Sequence, residues 1–584
     1  MDCRENTDQL FTCRMENKKL KKSKTLKFSN STLGLLCLLP IAVMFWIWLS
    51  PLAFVPVPWP DDSAFYFVAK EFFKWPPRWV MLPQAPFEPT YRIFNFNTMP
   101  LYPILIGIGR WLGIDGSFAI KIWPLGAWAL SGALLVGALY RKGLSAAIAA
   151  IIILAFSLDP EMRWASVLVR PESLIGFFGM ALVLGLSFGF PNRLKAKGLW
   201  DPVSALLALS AYAHFNAIHL LFMVAFGLIN QSPRKILATL GRTVLYLSPW
   251  LAVVLLHFNL FVHQMETQWT RLAVPNDWLT SMDKALGSLF QQMGNPVPWP
   301  ASLLHWVSVG LWFFIFLALL WGLIIPALKP ALAWKGMTPK ASVVDPSDKN
   351  YPSTASDLPP LAPAAGWIVG TIWLWGSKPE VWFVYYIHLA IWAFVGIAAL
   401  RLWVQRSLPK KRLALQGLIA VLIPMTAAFA YTDIDQTLQM NQSESWNWDT
   451  YHQFVNCVDK RLTQLEQTLE HPKPFRIWGP TFPDILIELS RHHPDWEFSR
   501  TNDFWERADL AIQHGQDAEA VVVTETLRTE ERHIDASALQ YPELKSVWMT
   551  WDGYFLNRLW RNPTWKLNRY ICQRGRWQAF LFMK

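Results

Sequence analysis

The sequence predicts a polytopic α-helical membrane protein of about eleven transmembrane helices, carrying a C-terminal extracytoplasmic α/β domain. Three observations predict it. Hydrophobic residues make up 53% of the 584-residue chain and charged residues only 16%, more apolar surface than a soluble core needs. Tryptophan occurs 34 times, and its ring, apolar with one polar N–H, favours the headgroup layer. Apolar segments of spanning length recur up to residue 431 and then give way to a soluble composition.

Residues 1–31 are polar and basic, with Lys18, Lys19, Lys21, Lys22, Lys24 and Lys27, and read as a cytoplasmic tail. The apolar run 32–54 is too long for a signal-peptide core and reads as an uncleaved first span. Further apolar segments lie at 117–140, 144–158, 168–190, 203–216, 217–230, 243–262, 303–328, 361–376, 381–404 and 412–431. The 203–230 region reads equally as one long helix or two short ones. The segment 99–112 is also apolar, and the positive-inside rule places it. If it does not span, the clusters Arg141-Lys142, Arg193 to Lys197, Arg234-Lys235, Lys329 to Lys340 and Arg401 to Arg412 all join the N-terminal lysines on the cytoplasmic side. Two prolines and Arg110 within it agree with an interfacial helix.

The predicted topology puts the N-terminus inside and the C-terminus outside. Residues 32–431 form the transmembrane domain. The first outer loop, 55–116, carries interfacial helices; a cytoplasmic linker covers 329–360, and its 338–360 part is rich in Pro, Ser and Asp. Other outer loops fall at 159–167, 263–302 and 376–380. The expected setting is the plasma (inner) membrane, with residues 432–584 as a periplasmic α/β domain. There, Arg476 to Gly479, Ala518 to Val523 and Trp577 to Met583 read as strands, and Phe482 to Arg491 as a helix. Cys457 and Cys572 share this domain and can either pair or remain thiols.

The net charge of +11 is divided into short clusters between apolar segments. That pattern fits membrane lipids or a phosphate-bearing lipid rather than nucleic acid. No glycine-rich phosphate loop, nucleophile elbow or HExxH is present, so ATP-driven and hydrolytic readings have no support.

The residues that could do chemistry gather on the predicted outer side. Asp61 and Asp62 follow the first span directly, where charge is costly. They can cap the helix that begins at Ser63, serve as a general base, or hold a divalent cation such as Mg2+ or Mn2+. Arg170-Pro171-Glu172 opens a span. Pro171 suits a first turn and Glu172 its dipole, while Arg170, held by Glu172, can meet a phosphate. Lys378 either snorkels to the interface or binds phosphate. His214, Asn216 and His219 read as interior polar residues or pocket lining.

Together these features resemble the GT-C glycosyltransferase superfamily, in the branch of protein O-mannosyltransferases and lipid A aminoarabinose transferases. The resembling stretches, in order, are Pro60-Asp61-Asp62-Ser63-Ala64-Phe65-Tyr66, Pro100-Leu101-Tyr102-Pro103, a short acidic loop after the third span, Arg170-Pro171-Glu172, and Lys378 to Tyr386. They cover about residues 30–430. Departures are Asp62 where Glu is commoner, no lysine just before Pro100, and His388 where relatives often have Pro. The resemblance implies an inverting transfer from a polyprenyl-phosphate sugar donor to a lipid, glycan or protein acceptor. It implies Asp61 as base with Asp62 in support, and Tyr66, Arg170, Glu172, Lys378 and Tyr386 as substrate-binding residues. No cofactor is required by this chemistry. A lipid or glycan transporter would instead call for charges within spans and internal repeats, and a non-catalytic envelope assembly protein would need neither.

Overall fold

The computed structural model describes residues 30–49, 60–80, 93–190, 200–228, 233–271, 359–377, 384–404, 412–420, 422–423, 448–468, 474–478, 484–499, 520–526, 566–574 and 577–583. The expected span at 303–328 and most of the 329–360 linker lie outside them.

The membrane part is a helical array. Its elements are α1 (Asn30–Leu49), α2 (Pro60–Phe72), α3 (Leu101–Trp111), α4 (Ile122–Arg141), α5 (Ala146–Ser157), α6 (Pro160–Val167), α7 (Glu172–Phe188), α8 (Pro202–Ala213), α9 (Leu220–Leu228), α10 (Pro233–Leu256), α11 (Phe258–Arg271), α12 (Ala362–Ser377) and α13 (Val384–Val404). Among the described residues, three helices are long and apolar enough to cross a membrane: Ala119–Arg141, Arg234–Leu256 and Tyr385–Val404.

Local chemistry sets many of these boundaries. The hydroxyl of Ser145 accepts from the Ile148 amide and caps α5, and Asp201 does the same for α8 with Pro202 at its first position. α3 is short and amphipathic, with Tyr102, Pro103 and Ile106 buried, in keeping with an interfacial helix. The 203–230 region is two helices. α8 stops at His214, whose backbone is extended, and the short 3-10 turn Phe215–His219 leads into α9.

Three expectations need correction. The 159–167 segment is mostly helix α6 rather than loop, because Pro160 and Glu161 suit a helix start. The 243–262 segment is divided between α10 and α11, and α10 starts ten residues earlier and includes Arg234, Lys235 and Arg242. Hydropathy alone cannot see a helix that continues into its basic flank. α11 in turn runs on to Arg271, into the stretch expected as an outer loop.

Close helix contacts rely on small residues. A Cβ on Gly370 of α12 would collide with the carbonyl of His219. Gln264 of α11 is fully buried and stitches the first outer loop, accepting from the Phe96 amide at 2.9 Å and donating to the Phe94 carbonyl at 2.8 Å.

The C-terminal part contains α14 (Trp448–Thr468), β1 (Arg476–Trp478), α15 (Leu486–His492), β2 (Glu497–Ser499), β3 (Ala520–Thr526), β4 (Lys566–Arg574) and β5 (Trp577–Met583). The strands form one mixed sheet of order β2-β1-β3-β5-β4. β1 is parallel to β2 and β3, and β5 is antiparallel to β3 and β4. β1, α15 and β2 make a small βαβ unit. α14 buries Tyr451, Phe454, Val455, Val458 and Leu462, the spacing of one helical face. Cys457 on α14 is bonded to Cys572 on β4, with Cα atoms 6.0 Å apart, which settles the open pairing.

That bond closes a loop across a sequence separation of 115. Replacing Cys457 and Cys572 by Ala is expected to cost the C-terminal sheet about 3–5 kcal/mol. Hydrogen exchange of the β4 and β5 amides in the full chain would report it. Unchanged protection would show that the bond contributes nothing.

Candidate active site

Asp61 and Asp62 lie within the first turn of α2, which begins at Pro60. They do not cap a helix starting at Ser63. Carboxylates in a first turn are still favoured by the helix dipole. The side chain of Asp61 lies outside the described residues. Asp62 is 1% exposed, and its Oδ2 stands 3.8 Å from the Nζ of Lys121. Lys121 is equally buried, at the end of the 3-10 turn Ala119–Lys121 that enters α4. Its Nζ donates to the carbonyl of Val167 at 2.9 Å. Val167 ends α6, so the ammonium joins α2, α4 and the α6–α7 junction.

Three residues further on, Arg170 and Glu172 form a two-pronged pair. The Arg170 Nη2 donates to Oε1 at 3.0 Å and its Nε to Oε2 at 3.3 Å. The turn carrying them is tight: the Arg170 amide donates to the Leu168 carbonyl, and the Ser173 hydroxyl to the Arg170 carbonyl. Glu172 is buried while Arg170 keeps 17% of its side chain exposed. The fork is therefore held by a buried carboxylate while part of the guanidinium reaches the surface.

Tyr102 links the two pairs. It is fully buried, its ring edge-on to Phe65 at 5.3 Å. Burial, reinforced by the charges of Asp62 and Glu172, pushes its hydroxyl well above the usual phenol range, so it stays a donor. Among the described residues that hydroxyl has no hydrogen-bond partner. A buried hydroxyl without a partner carries a cost of about 1–3 kcal/mol, which a ligand oxygen could relieve. His214 stands at the break between α8 and α9. Its Nδ1 accepts from the Asn216 amide at 3.2 Å.

The remaining expected residues stand elsewhere. Tyr66, one turn along α2 from Asp62, is buried with the guanidinium of Arg110 at 4.7 Å over its ring. Tyr386 is buried on α13 against the ring of His219, centroids 4.5 Å apart. His219 in turn accepts from Trp367 at 3.2 Å. Lys378 lies outside the described residues. Asp62, Arg170 and Glu172 all act on the Tyr102 hydroxyl through their charges, while Tyr66 contacts Arg110 and Tyr386 contacts His219.

Sequence reasoning passed over Lys121, because a lysine at the mouth of an apolar segment reads as a headgroup anchor. Nor did it foresee the pairing of a second buried carboxylate. Asp159 accepts from Trp392 Nε1 at 2.9 Å and lies 3.0 Å from His388 Nδ1. Burial pushes its carboxyl up, but the charge and hydrogen bond of His388 outweigh that and hold it below the usual carboxylate range. His388, the departure from the resembling family, thus has a partner 229 residues away.

Among the described residues no group of three or more His, Cys, Asp or Glu could hold a metal ion. Of the carboxylate pair expected to hold a divalent cation, Asp62 faces the Lys121 ammonium, and the side chain of Asp61 lies outside the described residues.

No family model and no curated protein matches the chain. Similar solved structures include ArnT from Cupriavidus metallidurans in the apo state, at 11% identity over 94% of this chain and 98% of that one, with a TM-score of 0.47. The same protein bound to undecaprenyl phosphate gives 12% identity over 93% and 97%, with a TM-score of 0.43. The Archaeoglobus fulgidus oligosaccharyltransferase in the apo form gives 11% over 85% and 69%, with a TM-score of 0.44. At such scores the functional reading rests on the residues of the site itself.

Breaking a buried pair from one side leaves an uncompensated charge. Lys121→Met is expected to destabilise the protein by about 3–5 kcal/mol, and adding Asp62→Leu to recover most of that. Thermal unfolding in detergent would measure the cycle; purely additive losses would show that the two charges do not depend on each other.

Proposed function

We propose that this chain is a membrane glycosyltransferase that moves a sugar, with inversion, from a polyprenyl-phosphate donor to a lipid, glycan or protein hydroxyl. The observation that carries the reading is a buried tyrosine hydroxyl, that of Tyr102, within the field of both an acidic helix start and a guanidinium held by a carboxylate. Such a set can remove a proton at one end and hold a phosphate at the other.

In this reading Asp61 takes the proton of the acceptor hydroxyl as that oxygen attacks the anomeric carbon. The bond from that carbon to the donor phosphate breaks, and the polyprenyl phosphate leaves with the electron pair. Arg170, kept in place by Glu172, meets the charge growing on the phosphate, with Lys378 as a second cation. Tyr102 supplies a hydroxyl donor to a substrate oxygen. Asp62, neutralised by Lys121, holds the first turn of α2 in place. The leaving group is already a phosphate, so the scheme needs no nucleotide and no metal. The proposed setting is the outer face of the inner membrane, with residues 432–584 outside.

Deleting the gene and comparing surface glycolipids and glycoproteins by mass spectrometry is expected to show one missing sugar mass, which names donor class and acceptor together. Asp61→Asn should then reproduce the deletion, with transfer down about 10²–10⁴-fold in folded protein. Arg170→Ala should raise the donor KM as well as lower kcat. An active Asp61→Asn enzyme would remove the proposal, and sugar-free lipid movement in vesicles would favour a transporter.

A further inference from the structure

The segment between α3 and α4 is gripped from outside by the C-terminal part of the chain. Glu488 of α15 is 6% exposed. Its Oε1 accepts from the amide of Ser117 at 2.7 Å, and its Oε2 accepts from Arg491 Nη1 at 2.7 Å. Arg491 also reaches Asp115, with 3.9 Å between Nε and Oδ2. Asp115 accepts from Arg110 Nε at 3.1 Å. Phe118 meets Trp448 of α14 edge-on at 5.2 Å. Between these contacts Gly116 has φ +105°, and a Cβ there would sit 2.7 Å from Arg491 Nη1, so only glycine suits the position.

This segment leads straight to the site. The amide of Ile120 donates to the Gly116 carbonyl at 3.1 Å, and that of Lys121 to the Phe118 carbonyl at 3.2 Å. The backbone held by Glu488 and Trp448 is therefore the backbone that sets where Lys121 begins. α2 is gripped on the same side. Lys70, two turns from Asp62, donates to the Ser490 carbonyl at 3.4 Å, and Phe67 lies 6.4 Å from Phe498 between ring centroids. Both members of the Asp62–Lys121 pair thus hang from elements that the βαβ unit holds.

We propose that α15 is a positioning element for the active site, with Glu488 as its principal residue: it fixes the Ser117–Lys121 turn, and through Lys121 the first turn of α2. The catalytic part of this rests on the glycosyltransferase reading above. The C-terminal domain is then part of the catalytic geometry rather than a separable acceptor-binding module. Glu488→Gln keeps an oxygen for the Ser117 amide but loses the charge that holds Arg491. Arg491→Gln breaks the same grip from the other side.

The test uses both variants in the full chain, in detergent or nanodiscs. Hydrogen exchange is expected to speed up at Ser117, Ile120 and Lys121 and in the first turns of α2, while β3 and β5 stay protected. With the sugar donor identified by the deletion experiment, kcat is expected to fall about ten- to a hundredfold at unchanged donor KM, as a displacement of about 1 Å would cause. Exchange faster only within 484–499 would overturn the proposal. So would wild-type kcat per folded molecule in both variants. If the wild-type chain transfers no sugar, the glycosyltransferase reading falls, and the exchange arm still decides whether α15 holds the turn.

Discussion

A carboxylate and an ammonium removed together from water must face each other, because either one alone would bear an uncompensated desolvation cost. Asp62 and Lys121 are such a couple. The pair ties three backbone segments that are far apart in sequence: the start of α2, the entry to α4 and, through the Val167 carbonyl, the end of α6. Each of these has its own reason to exist locally. Their mutual placement depends on one ammonium reaching two oxygens. The Arg170–Glu172 fork follows Val167 by only a few residues, so its position is inherited from the same anchor.

Two breaks in the helical array lie in the site residues' own segments. The α6–α7 junction turns at Arg170, and α8 breaks at His214 before α9 resumes. Non-helical backbone beside hydrocarbon is tolerated only where protein or a polar cavity satisfies it. Here the satisfaction comes from side chains of the breaks themselves: His214 accepts from Asn216, and the Ser173 hydroxyl donates to the Arg170 carbonyl. The rest of the array shows the opposite economy, with helices in close contact through glycines and fully buried tryptophans such as Trp367 and Trp392.

Much of this was legible in the sequence, for particular reasons. Apolar runs located most of the described helices, and Pro171 with Glu172 announced the start of α7. The strands β1, β3 and β5 were visible as short β-branched or aromatic runs. β4 was not, because its register shifts between Leu567 and Arg569 and again between Tyr570 and Cys572, which scrambles the alternation a strand otherwise shows. β2 has only three residues, too few for any period. Lys121 was passed over, and the pairing of Asp159 with His388 was not foreseen. Each is an ordinary residue in its own neighbourhood, and its meaning lies in a partner that sequence spacing cannot name.

The two adjacent aspartates looked alike in the sequence, and their surroundings separate them. Asp62 is buried, faces an ammonium, and lies within the field of a tyrosine hydroxyl. Its charge is already engaged in holding the fold together, so taking a proton there would disturb the pair that positions α2. A general base needs a carboxylate that can gain and lose a proton without unfastening its support. On the proposed reading that task therefore goes to Asp61, and the value of Asp62 is its pairing with Lys121. The division also gives the outer domain its place. A base mounted on the first turn of α2 is only as well aimed as the turn itself, and that turn is fixed from one side by Lys121 and from the other by the contacts of Lys70 and Phe67 with the βαβ unit.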